Sequence, residues 1–244
     1  MVVNSAGVIW HDLECGSYRA DLPLWRELAE RSASDGVSAR ILDVGAGTGR
    51  VALDLARCGH RVTAVELDAE LIDALRERAE GASVQIVCAD ARTFDLQETE
   101  FDLCLMPMQT AQLLGGSEQR VAFLRRALAH LRPDGMLALA IVTAFDTFDC
   151  SDGDVAPSPE WARVDGVLYL SRATRVRILA DGALIERERW IYGERPHANA
   201  IELDLLDAPG LEREGIQAGF HPERARELPP THDHVGSTVV MLRA

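Results

Sequence analysis

Short apolar runs and longer segments with helical spacing alternate between residues 38 and 142. Mostly apolar runs of strand length lie at 40–44, 61–66, 84–88, 101–106 and 136–142. Between them, apolar residues recur every three or four positions, which predicts helices at 48–57, after Asp68 and after Ser117. Strands that alternate with helices in this way form a parallel sheet covered by helices on both faces.

Both borders of this core carry recognisable signals. The Pro-Asp-Gly sequence at 133–135 predicts a turn before 136–142, whose unbroken apolar character is typical of a strand covered on both faces. Upstream, apolar residues at 24–28 share one face of a helix that Asp21 is expected to cap. This helix is expected to pack over an edge of the sheet.

The second half of the chain predicts an insertion followed by a return to the sheet. Residues 143–165 lose periodicity and predict a loop, and strand-like runs at 168–178 and 184–192 flank a hairpin signal. The hairpin is too charged for a core, so 143–199 is expected to be a lid or a dimer arm. The remaining predicted elements are a helix at 211–218, a strand near 220–227, a loop at 229–236 and a strand at 237–242. Residues 1–244 are expected to form one domain, in which 1–37 is an N-terminal helical cap.

Composition narrows the possible partners. The 244 residues carry a formal net charge of -14, which disfavours nucleic acid and anionic membranes. The five cysteines contain no C-x-x-C pair, so neither a metal site nor a disulfide framework is predicted. Because no apolar run resembles a signal peptide or is long enough to span a bilayer, the expected location is the cytoplasm.

The strongest chemical signal is a glycine turn between the first strand and the first core helix. Gly45, Gly47 and Gly49 let the backbone approach a ligand closely, and Glu66 ends the next strand. A carboxylate at that position accepts hydrogen bonds from ribose hydroxyls. Together these residues predict a pocket for a nucleoside cofactor.

Two residues separate the candidate cofactors. A dinucleotide motif requires glycine where this chain has Arg50. Asp43 at the end of the first strand is unfavourable beside a pyrophosphate and favourable beside a cation. An NAD-linked oxidoreductase therefore remains only as the less favoured alternative.

At this point the chain resembles the class I S-adenosylmethionine-dependent methyltransferases of the small-molecule type. The resemblance rests on 41–50, 65–68, 88–91 and 131–136, with weaker support from 12–28 and 101–114. It implies a three-layer Rossmann-like doubly wound α/β sheet, mostly parallel with an antiparallel last strand, and a β-hairpin insertion after the fifth strand. It also implies S-adenosyl-L-methionine as the cofactor.

The resemblance assigns a role to each cofactor residue. The three glycines would line the methionine part and Asp43 would face its charged end, whereas Glu66 would bind the ribose. The adenine would meet Leu67, Asp90 and Ala91, and the methyl group would be bordered by Met106 and Gln109. Asp43 and Asp90 have the alternative role of capping the turns that follow them, and Leu67 that of ordinary packing.

Methyl transfer from a sulfonium depends mainly on alignment and exclusion of water, and needs a base only when the acceptor carries a proton. Tyr18 near the N-terminus, and His232 and His234 in the last hairpin, are the candidate catalytic residues. Asp233 is a possible orienting group. The alternatives are core packing for Tyr18 and a solvated loop for the histidines.

The leading interpretation is methyl transfer to a nitrogen or oxygen of a small-molecule metabolite. A second interpretation is an S-adenosylmethionine-binding protein without methyl transfer, acting as a cyclase or a regulator. The acceptor pocket is expected to be built from the N-terminus, the insertion and the last hairpin. A homodimer through the insertion remains open.

Overall fold

The computed structural model describes residues 5–33, 37–231 and 234–244. The predicted His232 and Asp233 lie outside these described residues. The strands are β1 (Arg40–Val44), β2 (Arg61–Glu66), β3 (Val84–Cys88), β4 (Phe101–Met106), β5 (Leu131–Ile141), β6 (Phe148–Asp149), β7 (Glu160–Val164), β8 (Val167–Ile178), β9 (Gly182–Ile191), β10 (His197–Asp204), β11 (His221–Leu228) and β12 (Ser237–Arg243). The α-helices are α1 (Ala6–His11), α2 (Leu22–Ser32), α3 (Arg50–Arg57), α4 (Ala69–Arg78), α5 (Ser117–His130) and α6 (Ala208–Ala218).

Seven strands form the central sheet in the order β11-β12-β5-β4-β1-β2-β3. The pairs among β1 to β5 are parallel, whereas β12 runs antiparallel to both β5 and β11. Ile41 and Leu42 are neighbours in β1 but are buried in separate hydrophobic clusters, because successive side chains of a strand point to opposite faces. Helices α2, α3 and α4 contribute to one cluster and α5 and α6 to the other. This arrangement confirms the predicted fold class.

Three local predictions are wrong. Asp21 does not cap α2 with its side chain, which instead accepts hydrogen bonds from Trp25 Nε1 and from Arg50. The predicted turn at 133–135 is an irregularity within β5, where the register against β4 shifts and Asp134 has a φ of 60°. The predicted loop at 143–165 contains β6 and β7, because both pair with β8.

The insertion is an antiparallel sheet larger than the predicted hairpin. Strands β8 and β9 form that hairpin, and the sheet order is β10-β9-β8-β6 with β7 also paired to β8. No apolar pattern predicts β10, because Leu203 is the only one of its residues that is fully buried. Pairing with β9, rather than an apolar pattern, holds this strand in place.

Buried polar contacts join the insertion to the core where the chain leaves β5 and returns from β10. The Gln112 amide donates to the carbonyls of Val142 and Asp204 at 3.0 and 2.9 Å, and accepts from Val142 N–H at 2.8 Å. Arg120 of α5 binds both Glu214 of α6 and Asp204. The insertion therefore has a fixed base on the core.

Within the described ranges, no helix has the length and apolar character needed to cross a membrane.

Candidate active site

A cavity of about 460 Å³ opens at the carboxyl ends of β1, β2, β3 and β4. Parallel strands bring these ends to one edge of the sheet, which is where open α/β sheets bind ligands. Seven of the ten predicted cofactor residues line the cavity: Asp43, Gly45, Glu66, Leu67, Asp90, Ala91 and Gln109. The sequence signals therefore converge on one space.

The glycine turn is shaped by chain packing as well as by the cavity. Gly45, Gly47 and Gly49 have positive φ values of 74°, 56° and 94°, a region that L side chains rarely adopt. A Cβ on Gly47 would lie 2.4 Å from His11 Nε2, and one on Gly49 would lie 2.3 Å from Leu75 Cδ1. Gly47 and Gly49 do not line the cavity, because the N-terminal segment and α4 occupy the space beside them.

Glu66 closes the cavity at the end of β2, and its carboxylate is fixed by three backbone groups. One oxygen accepts from Gly47 N–H at 2.8 Å. The other accepts from the N–H groups of Leu67 and Asp68 at 2.7 and 3.0 Å. A carboxylate offers about four acceptor positions. Glu66 therefore keeps capacity for a hydroxyl donor in the cavity.

Asp43 is the most unusual group in the cavity wall. It is 1% exposed, and neither carboxylate oxygen has a hydrogen-bond partner among the described residues. Burial raises the pKa of Asp43 to about 7, against the opposing effects of the positive charge of Arg50 and of the nearby backbone N–H of Ala52. A buried carboxyl group without a partner fits a ligand that brings an ammonium group to this end of the cavity.

Asp90, Ala91 and Leu67 form the opposite end of the cavity. The Asp90 carboxylate accepts from the side chain of Arg92 and from its N–H at 2.8 Å, and these bonds lower the pKa of Asp90 to about 2. The turn-capping role of Asp90 is thus present together with its place in the cavity. Leu67 is 60% exposed, so its apolar surface is available to a ligand.

Of the two residues predicted beside the methyl group, only Gln109 reaches the cavity. Met106 is fully buried at the end of β4, within the hydrophobic cluster that packs against α5. Met108 lines the cavity instead, with a φ of 56°. A non-glycine residue held in this region is strained, and such strain is often found at functional sites.

Tyr18 and His234 meet beside Gln109. Their ring centroids are 4.5 Å apart, and the buried Tyr18 hydroxyl has no hydrogen-bond partner within the described part of the chain. Burial and the charge of Asp21 raise the pKa of Tyr18, so the phenol is a neutral hydrogen-bond donor. Arg50 fixes this segment, because it donates to the Tyr18 carbonyl at 3.0 Å and pairs with Asp21. His232 lies outside the described residues.

A second cavity, of about 820 Å³, lies between the insertion, the N-terminal segment and the last hairpin. Gln109 lines both cavities, and His234 lines the second one. A small void between them, about 30 Å³, is bordered by Tyr18, Met108, Gln109 and His234. The predicted catalytic residues that the structure describes therefore stand at the junction of two ligand-sized spaces.

No sequence pattern predicted that a π-helical turn at Asp12–Gly16, with the residues beside it, contributes to the walls of both cavities. His11 and Cys15 line the first cavity, whereas Leu13 and Ser17 line the second. A π-helical turn has no distinctive apolar period, although such turns are frequent at functional sites.

Comparisons with known proteins agree with this geometry. Residues 41–135 match the family model described as a methyltransferase domain. A cypemycin N-terminal methyltransferase from a Streptomyces species is 33% identical over 112 residues, which cover 46% of this chain and 42% of that protein. A tRNA 5-carboxymethoxyuridine methyltransferase from Escherichia coli is 33% identical over 127 residues, which cover 50% of this chain and 47% of that protein.

Among solved structures, the S-adenosylmethionine-bound form of an amino pentose methyltransferase from Micromonospora echinaspora has the same fold. The TM-score is 0.72 at 22% identity, and the match covers 97% of each chain. The chain spans about half the length of the two curated relatives described above. The second cavity lies largely outside the part that the family model matches.

Proposed function

Residues 41–135 belong to the class I S-adenosylmethionine-dependent methyltransferases, and from this premise we propose that the whole chain methylates a nitrogen or oxygen of a small-molecule acceptor. The membership of residues 41–135 confirms the predicted family, enzyme class and cofactor. The observation that carries this proposal is the place of Gln109 in the walls of both cavities. Gln109 would therefore border both the methyl group of the bound cofactor and the acceptor. Such proximity and exclusion of water are the main requirements of the reaction.

The chain's own residues would hold the cofactor at its two ends. Asp43 supplies a buried negative charge for the ammonium group, and Glu66 supplies fixed acceptors for the ribose hydroxyls. Asp90 and Leu67 would border the adenine. When bound, S-adenosylmethionine supplies a methyl group activated by the sulfonium charge.

Tyr18 and His234 would act on the acceptor side. The neutral Tyr18 hydroxyl donates a hydrogen bond that orients the nucleophile, and an imidazole accepts the proton that an amine or hydroxyl releases. His232 belongs to the same proposal through its position in the last hairpin. These roles require both groups to face the junction beside Gln109.

A small molecule is favoured over nucleic acid as the acceptor. The curated relatives include a tRNA methyltransferase, so the alternative is concrete. However, the net charge of -14 opposes binding to a polyanion, whose affinity depends on contacts from Lys and Arg to phosphates. The amino pentose methyltransferase of the same fold supports an amine or hydroxyl of a small metabolite.

The first experiment tests the cofactor site by calorimetric titration with S-adenosylmethionine, S-adenosylhomocysteine and NAD in parallel. We expect saturable binding of the first two. Glu66→Ala should lower their affinity at least about tenfold, because a charge-assisted hydrogen bond contributes about 1.5 to 3 kcal/mol. Glu77→Ala, at an exposed position of α4, is the matched control. Binding of NAD alone would refute the proposal.

The second experiment tests transfer itself. The protein is incubated with methyl-labelled S-adenosylmethionine and either a panel of amines and alcohols or bulk tRNA. Label in a small-molecule fraction supports the proposal, and label in tRNA alone contradicts the acceptor class. Cofactor binding without transfer to any acceptor would favour the second interpretation, a cyclase or regulatory protein.

A further inference from the structure

We infer that the acceptor is an amphipathic amine, with its amino group in the second cavity on the side of Gln109 and an extended apolar body against the wall that the insertion contributes to that cavity. The inference rests on the proposed function and adds the chemical class of the substrate. It is carried by the size of that cavity, the exposed apolar side chains in its wall and the balance of its charges.

The second cavity is too large to be filled by a very small acceptor. Its volume of about 820 Å³ lies toward the upper end of the range of about 300 to 1,000 Å³ that is typical of sites for drug-sized ligands. A single sugar ring or amino acid would leave most of this space to water. The volume therefore suits an acceptor whose reacting group is attached to a larger body.

The side chains that line the second cavity indicate the chemical character of the acceptor body. Val155 is 92% exposed and Trp161 is 66% exposed, and both line the cavity with the half-buried Phe145 and Phe148. All four lie between β5 and β8, in the insertion. Large apolar side chains that remain exposed together in a concave site mark a surface that a ligand covers. An apolar acceptor body would remove these side chains from water.

The charges in the cavity favour a cationic reacting group. Apart from His234, Arg187 is the basic residue that lines this wall, and it is already paired with Glu160 and Glu14. Asp146 also lines the cavity, is exposed, and forms no ion pair with any residue of the described ranges. The Asp146 carboxylate thus has no basic partner in this wall among the described residues. An amine satisfies it, whereas a carboxylate or phosphate would be repelled.

The test uses monodansylcadaverine, a primary amine joined through an alkyl chain to an environment-sensitive fluorescent ring. Dansylamide supplies the ring without the amine, and N-acetylcadaverine supplies the amine without the ring. Each is titrated into the full-length protein saturated with S-adenosylhomocysteine, whose binding is measured by calorimetry in the same samples. We expect monodansylcadaverine to bind at least about tenfold more tightly than either fragment, with a blue shift of its emission.

Two variants with matched controls assign the two ends of the probe. Trp161→Ala should weaken monodansylcadaverine about tenfold, whereas Tyr192→Ala, at a position 81% exposed and outside the cavity, should leave its affinity unchanged. Asp146→Asn should weaken the amine about fivefold without changing dansylamide. Asp152→Asn, at an exposed position outside the cavity, is its control. Because Trp161 and Asp146 are exposed, neither change should disturb folding.

Each remaining result overturns the inference. Equal affinity for monodansylcadaverine and N-acetylcadaverine would show that an apolar body does not contribute to binding. Equal effects of Trp161→Ala and Tyr192→Ala would show that the wall containing Trp161 does not contact the probe. Tighter binding of dansylamide than of monodansylcadaverine would show that the site does not favour a cationic amine. Normal binding of S-adenosylhomocysteine in these cases leaves the proposed function standing. Failure of the protein to bind S-adenosylhomocysteine would overturn both.

Discussion

Among single residues, Asp43 has the clearest conflict between stability and function. Its carboxyl group is fully buried without a hydrogen-bond partner among the described residues, and burial raises its pKa from 3.8 to about 7. The stability that follows from this shift is present below about pH 4 and is lost as the pH rises through 7. Above pH 7 the free protein bears a penalty of the order of 4 kcal/mol, which a cationic ligand would remove.

Asp43→Asn should therefore separate stability from binding. At about pH 8 the free variant should unfold at the same temperature as the unaltered protein or higher, because the buried charge is gone. Its affinity for S-adenosylhomocysteine should fall at least about tenfold. In the unaltered protein, affinity should also fall as the pH drops below about 7. Calorimetry and thermal unfolding measure these effects, and a lower melting temperature with unchanged affinity would contradict the assigned role.

Tyr18 offers a second test at this scale. Tyr18→Phe keeps the ring between His234 and Arg50 and removes only the hydroxyl, which has no hydrogen-bond partner in the described ranges. Once an acceptor is identified, kcat should fall about a hundredfold while the affinity for S-adenosylhomocysteine stays constant. Tyr192→Phe, at an exposed position, serves as the control. Unchanged kcat would assign Tyr18 to packing alone.

At the scale of elements, the N-terminal segment joins the core to the insertion. Asp12 binds Arg78 of α4 and Thr48 in the glycine turn. Although burial opposes its ionisation, the nearby His11 and the hydrogen bonds from Arg78 and Thr48 hold the pKa of Asp12 well below the usual range. Two residues later, Glu14 accepts hydrogen bonds from Ser171 of β8 and Arg189 of β9. One π-helical turn therefore connects α4 and the glycine turn to β8 and β9 of the insertion.

Glu14→Gln should weaken this connection in a way that depends on pH. Burial opposes ionisation of Glu14, but Arg189, Arg187 and Ser171 together lower its pKa. Its contribution is therefore present above about pH 4.5 and is lost as the pH falls through the lower pKa of the folded state. We expect the variant to lose about 2 kcal/mol in urea unfolding at neutral pH, and less in acid. Equal losses at both pH values would show that packing, rather than charge, connects the two elements.

The same elements show where the sequence was informative. The strands β1 to β4 match their predicted bounds, because each is a short, mostly apolar run that alternates with a helical pattern. The seven predicted cofactor residues that line the first cavity follow from the same strand ends. By contrast, β7 lies in a stretch rich in proline and aspartate and is held by pairing with β8. A local pattern could not predict it.

Long-range polar contacts were equally invisible in the sequence. Asp12 and Arg78 are 66 positions apart, and Glu14 and Arg189 are 175 apart. Neither pair lies within one helix or hairpin, so no spacing rule identifies it. The second cavity lies between the three segments predicted to build an acceptor pocket, but the contacts that hold these segments together could not be predicted from the sequence.

At the scale of the whole molecule, the two cavities share a wall that forms polar contacts with both the core and the insertion. The turn at Asp12–Gly16 is held to the core by Asp12 and to the insertion by Glu14, and side chains beside and within it face both cavities. A ligand that orders this turn from the first cavity will also restrict the sheet behind the second one. Such coupling is reciprocal, so occupation of the second cavity must strengthen binding in the first by the same factor.

Hydrogen exchange tests this coupling without knowledge of the acceptor. S-adenosylhomocysteine should slow amide exchange in the glycine turn and in Asp12–Gly16, and also in β8 and β9, which lie outside the wall of the first cavity. In Glu14→Gln, protection should persist in the glycine turn but decrease in β8 and β9, because the connection to Ser171 and Arg189 is broken. Protection of the insertion that survives in the variant would mean that ordering travels through the base at Gln112 and Arg120 instead.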